Sequence, residues 1–62
     1  MNIEQILEAI RELAYSQGFY GRLYEHLMYI KSNEPEQWEV TVKELESQHF
    51  SDTVDMVLYF EC

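Results

Sequence analysis

Ile3-Glu4-Gln5-Ile6-Leu7-Glu8-Ala9-Ile10-Arg11-Glu12-Leu13-Ala14 is the stretch whose reading decides the fold. Ile3, Ile6, Leu7, Ile10, Leu13 and Ala14 recur at i, i+3, i+4 and i+7, the stripe that puts apolar side chains on one face of a helix. Asn2 suits the N-cap, and Gln5, three residues on, can reach back to complete a capping box. Gly18 suits the residue after the helix, where a left-handed backbone costs glycine nothing. The spacing predicts a helix from about Ile3 to Ser16.

Working outward, Phe19 to Ser32 carries Phe19, Leu23, Leu27 and Ile30 along one face, with Tyr20, Tyr24 and Met28 on an adjoining stripe. So wide an apolar arc belongs to a helix covered from two sides or keeping one stripe for a partner. Gly21 in its first turn costs about 1 kcal/mol relative to alanine, and marks either a close helix approach or an irregular start. Asn33-Glu34-Pro35-Glu36 is the next boundary: Asn33 caps, Pro35 fits the first turn, and the glutamates favour the positive end of the helix dipole. Beyond it the pattern is ambiguous. Trp38, Val40 and Val42 alternate with polar residues like a strand, yet Trp38, Val42, Leu45 and His49 fit a helical face running to Gln48. In the last segment Ser51 or Asp52 can cap a helix whose face is Phe50, Val54, Val57 and Leu58, although Val54 to Phe60 also has strand propensity. The expectation is one all-α domain over residues 1–62, a bundle of three to four short helices. The alternative is two or three helices plus a hairpin of Trp38 to Val42 with Val54 to Phe60. An isolated ribbon is marginal unless packed on helices, which places it second.

Composition sets limits on function. Twelve Asp and Glu against four Lys and Arg give a net charge of -8 in 62 residues. Direct nucleic-acid binding is not expected of four scattered cations. The longest apolar run, Met56 to Phe60, is far below the ~20 residues of a membrane span. Met1-Asn2-Ile3-Glu4 lacks the basic start of a secretory signal, and Cys62, the single cysteine, reads as a free thiol in a reducing compartment. A reducing compartment is the simplest expectation.

The charge is uneven. Residues 1 to 33 hold four acids and three bases, whereas residues 34 to 62 hold eight acids against Lys43 alone. That half reads either as a solvated face or as a carboxylate surface imitating a phosphate backbone, steered to a basic protein by its field. The tyrosines at 15, 20, 24 and 29 exceed what so small a core can bury, and tyrosine favours interfaces. Candidate partner-contact residues are therefore Tyr20, Tyr24 and Met28 on an apolar surface, and Glu34, Glu36, Glu39, Glu44 and Glu46 on an acidic one. The partner is a protein, either a basic nucleic-acid enzyme or a second copy in a homodimer.

Other motifs carry less. Glu46-Ser47-Gln48-His49 has the Glu-x-x-His spacing of carboxylate-bridged metal bundles, but one such motif does not make a site, and His49 reads as a helix-end histidine. Asp52 and Asp55 lack the rest of a calcium loop. Gly18-Phe19-Tyr20-Gly21 matches a bare G-x-x-G without the basic surroundings of a nucleotide clamp. No serine has a glycine elbow, and a small bundle has little room for a substrate pocket, so no enzyme, metal or cofactor is expected.

Leu13-Ala14-Tyr15-Ser16-Gln17-Gly18-Phe19-Tyr20-Gly21-Arg22-Leu23, together with Phe50-Ser51-Asp52-Thr53-Val54-Asp55-Met56-Val57-Leu58-Tyr59-Phe60-Glu61, resembles very short uncharacterised proteins of phages and mobile elements in Gram-positive bacteria. The resemblance covers most of the chain, implies an accessory protein in a bacterial cytoplasm, and transfers no site residues. Small acidic proteins of that kind include inhibitors of host nucleases and defence complexes.

Overall fold

Asn2 and Gln5 start the first helix as a reciprocal pair: the Gln5 N–H donates to Asn2 Oδ1 at 2.9 Å and the Asn2 N–H to Gln5 Oε1 at 3.0 Å. The computed structural model describes residues 1–16 and 18–61, so the reading of Cys62 lies outside the described residues. Four helices follow in order, α1 Ile3–Ala14, α2 Gly18–Asn33, α3 Pro35–Ser47 and α4 Thr53–Glu61. The chain is an all-α globule. No strand occurs among the described residues, and both segments of the alternative hairpin, 38–42 and 54–60, are helical.

Three helix boundaries differ from expectation, each for a local reason. α1 stops two residues early because Tyr15 and Ser16 turn their N–H groups back to Glu12 and Leu13 at 3.3 and 3.1 Å, tightening the last turn and satisfying its carbonyls. Gly18 therefore opens α2 rather than ending α1, and its φ is not positive. Asn33 does not cap α3. It is the last residue of α2, where its Nδ2 donates to the Tyr29 carbonyl at 3.1 Å, and Glu34 takes the N-cap position with no side-chain capping bond. The left-handed helix-end residue is His49 with φ 54, just past the α3 C-cap Gln48. That reversal takes His49 off the α3 face shared by Trp38, Val42 and Leu45. α4 begins as expected: Asp52 Oδ1 accepts the Asp55 N–H at 3.0 Å, and Asp55 Oδ2 accepts the Ser51 N–H at 3.1 Å and the Ser51 hydroxyl.

α1 is the organising helix, packed on α2, α3 and α4. α2 also packs on α3, whereas α4 approaches only α1. Ile6, Ile10, Tyr20 and Met56 are fully buried, surrounded by Ala9, Leu27, Leu45 and Phe50. One predicted face differs at its first residue and another is rotated. On α2 Leu27 and Ile30 are buried and Leu23 packs against the core as expected, but Tyr20 takes the buried place of Phe19, which is 52% exposed and sets its ring edge-on to Tyr20, centroids 5.1 Å apart. On α4 the inward residues are Met56, Val57 and Phe60, and Val54 and Leu58 point out at 64% and 59% exposure. Phe50 closes that end against Tyr59, at 5.3 Å, and Phe60, at 6.4 Å. Aromatic pairs of this geometry add to what their area burial supplies.

Candidate partner-binding surfaces

The adjoining stripe of α2 divides on folding. Tyr20 cannot serve as a contact residue, because it is fully buried in the core and no atom of it reaches the surface. Its hydroxyl has no hydrogen-bond partner among the described residues. Burial first, and the negative charge of Glu61 second, push its pKa above the ordinary 10.0. Tyr24 and Met28 remain half-exposed and line a shallow groove of about 570 Å³ along α2. Gly21, Glu25, Tyr29, Ser32 and Asn33 continue it along the helix, and Ala14 of α1 forms one wall. A Cβ at Gly21 would meet nothing within 4 Å, so close approach of another helix is not the reason for this glycine. Sequence reasoning missed Tyr29 as a groove residue, because it lies off the Tyr24 and Met28 stripe, one turn beyond Glu25.

The acidic candidates also divide. Glu34, Glu36, Glu39 and Glu44 are exposed along α3 and its N-cap. Among the described residues the one ion pair joins Arg11 to Glu8 at 3.7 Å, so no cation holds these four carboxylates. Glu46 is different. It is only half-exposed, and its Oε2 accepts the backbone N–H of Ile3 at 2.8 Å, which ties α3 to the first turn of α1. A carboxylate at a helix N-terminus meets both an unpaired donor and the positive end of the dipole, so Glu46 is first an intramolecular cap. Beside it Ile3, Trp38, Glu39, Val42 and Lys43 outline a second open depression of about 550 Å³.

The structure thus presents two chemically distinct surfaces, an aromatic groove on α2 and a set of exposed carboxylates on α3 and its N-cap that have no ion pair among the described residues. No helix among the described residues is long and apolar enough to cross a membrane. No family model, curated protein or solved structure matches the chain.

Proposed function

We propose that this is a binding protein rather than a catalyst, and that the carboxylates of α3 and its N-cap occupy the basic surface of a nucleic-acid-handling protein. The reading rests on Glu34, Glu36, Glu39 and Glu44, which stand exposed on α3 and its N-cap with no ion pair to them among the described residues. Four carboxylates against the single exposed cation of that stretch, Lys43, leave a net negative field that raises the encounter rate and chooses a basic surface over others. Tyr24 and Met28 supply an apolar contact on a separate face, with methionine suited to adapt to a partner's shape. The setting that accords with the sequence resemblance is a phage or mobile element acting in the bacterial cytoplasm, where such a protein inhibits a host enzyme by filling its nucleic-acid groove.

The test is capture from bacterial lysate by the immobilised protein, compared with Glu36→Lys/Glu39→Lys/Glu44→Lys. All three positions are exposed, so the fold tolerates the change. The reading expects nucleic-acid-binding proteins to be captured by the parent and lost from the triple variant. Equal capture by both would end it.

A further inference from the structure

We propose that the groove on α2 receives the outer face of α4 from a second copy of the chain, so that copies associate head to tail. The inference rests on the part of the functional reading that makes Tyr24 and Met28 a contact surface, and it names the occupant. α4 carries apolar residues on two faces: Met56, Val57 and Phe60 face inward, and Val54 and Leu58 face outward at i, i+4. Two such faces ordinarily mean cover on both, yet among the described residues α1 is the one helix against which α4 packs. Its outer pair is flanked on either side by a carboxylate, Asp55 and Glu61.

The charges on α2 complement this. Arg22 and Lys31 against Glu25 make α2 the one helix with more cations than carboxylates, in a chain of net charge -8. At 3.6 residues per turn, Arg22 lies one and two turns from Glu25 and Tyr29 along one edge of the groove. Lys31 lies one and two turns from Met28 and Tyr24 along the other. A groove edged by Arg22 and Lys31, with Glu25 the one carboxylate in its lining, thus carries one cation in excess and faces an apolar stripe edged by two carboxylates, while the α3 surface repels its own kind. Formed once between two copies, this contact of unlike faces is heterologous, and the pair keeps one free groove and one free α4. A single-helix contact is at the small end of protein interfaces, so the association is weak and concentration-dependent.

Two variants decide the matter, each altering exposed positions: Leu58→Asp disables the α4 face, and Arg22→Glu/Tyr29→Asp disables the groove. In sedimentation from micromolar to millimolar protein, the parent is expected to rise past twice the 7.5 kDa monomer mass. Each variant alone should stay monomeric, and an equal mixture should recover a complex that stops at a dimer, because one intact groove meets one intact α4. That recovery also shows that both variants are folded. A parent that remains monomeric throughout overturns the inference while leaving capture by the α3 face intact. A Leu58→Asp variant that dimerises alone overturns it in favour of groove-on-groove pairing, and association of the groove variant alone overturns it in favour of α4-on-α4 pairing.

Discussion

Glu46 reaches across 43 residues of sequence to accept the backbone N–H of Ile3 at 2.8 Å, fastening the end of α3 to the beginning of α1. α1 packs on the other three helices, so this bond ties α3 to the helix that organises the fold. A charged acceptor on a helix-terminal N–H contributes about 1–2 kcal/mol. Glu46→Ala should therefore lower the unfolding free energy by about that amount, and the Tm by roughly 4–8 °C per kcal/mol. Glu46→Gln, which keeps an acceptor oxygen, should lose less. Glu44→Ala is the control: its side chain is exposed, and the expected change lies within about 0.5 kcal/mol. Chemical denaturation of the three variants separates the cap from a generic loss of charge.

Tyr20 buries a hydroxyl without a partner, a state that costs about 1–3 kcal/mol. Tyr20→Phe keeps the ring in the core and removes the orphan oxygen, so it should raise stability by about 1 kcal/mol. A fall of that size would place a hydrogen bond on the hydroxyl. The raised pKa adds a pH signature. The folded state holds the Tyr20 proton more tightly than the unfolded state, so its contribution is complete below pH 10.0 and is lost as pH rises through the folded-state value. Denaturation midpoints measured from pH 8 to 12 should fall more steeply for the parent than for Tyr20→Phe.

His49 occupies the left-handed region at φ 54, where a side chain costs about 1 kcal/mol that glycine avoids. Its N–H still closes the end of α3 on the Glu46 carbonyl at 3.2 Å. His49→Gly keeps that bond, and should leave the fold unchanged while raising the Tm by a few degrees. A lower Tm would mean that the imidazole makes a stabilising contact.

Asp55 holds its proton weakly: the Ser51 hydroxyl and then the Ser51 N–H donate to its carboxylate and keep its pKa below the ordinary 3.8, against a smaller opposing effect of desolvation. The stability it contributes is present above pH 3.8 and is lost as pH falls through the folded-state value. Ser51→Ala removes the larger of the two donors. Side-chain carbon shifts of Asp55 followed by NMR between pH 2 and 6 should show its titration moving up toward 3.8 in that variant, and α4 should fray first on acidification.

α1 was legible in full at its start, because Asn2, Gln5 and a clean 3.6-residue stripe all specify the same helix. The first turn of α2 and the face of α4 were not, for a common reason. Both segments carry apolar residues on more than one side, so the pattern does not choose between Phe19 and Tyr20, or between Leu58 and Met56, while Leu23, Leu27 and Ile30 face the core as their spacing requires. Tyr20 was therefore assigned to a surface it does not reach. The bond from Glu46 to Ile3 left no local trace either, since spacing rules see neighbours within a helix and not the place where a distant helix begins. Glu36, Glu39 and Glu44, in contrast, stand on the exposed side of α3 as their spacing against Trp38, Val42 and Leu45 requires.

If the α3 carboxylates stand in for phosphates, duplex DNA competes for the same partner surface. Duplex DNA added to the complex of this protein with a captured basic partner should displace it in proportion to DNA concentration, and the affinity should fall steeply as salt rises from 50 to 200 mM, as ionic contacts with a basic groove are screened. A complex indifferent to both DNA and salt would contradict the account and assign the acidic half of the chain to solubility alone.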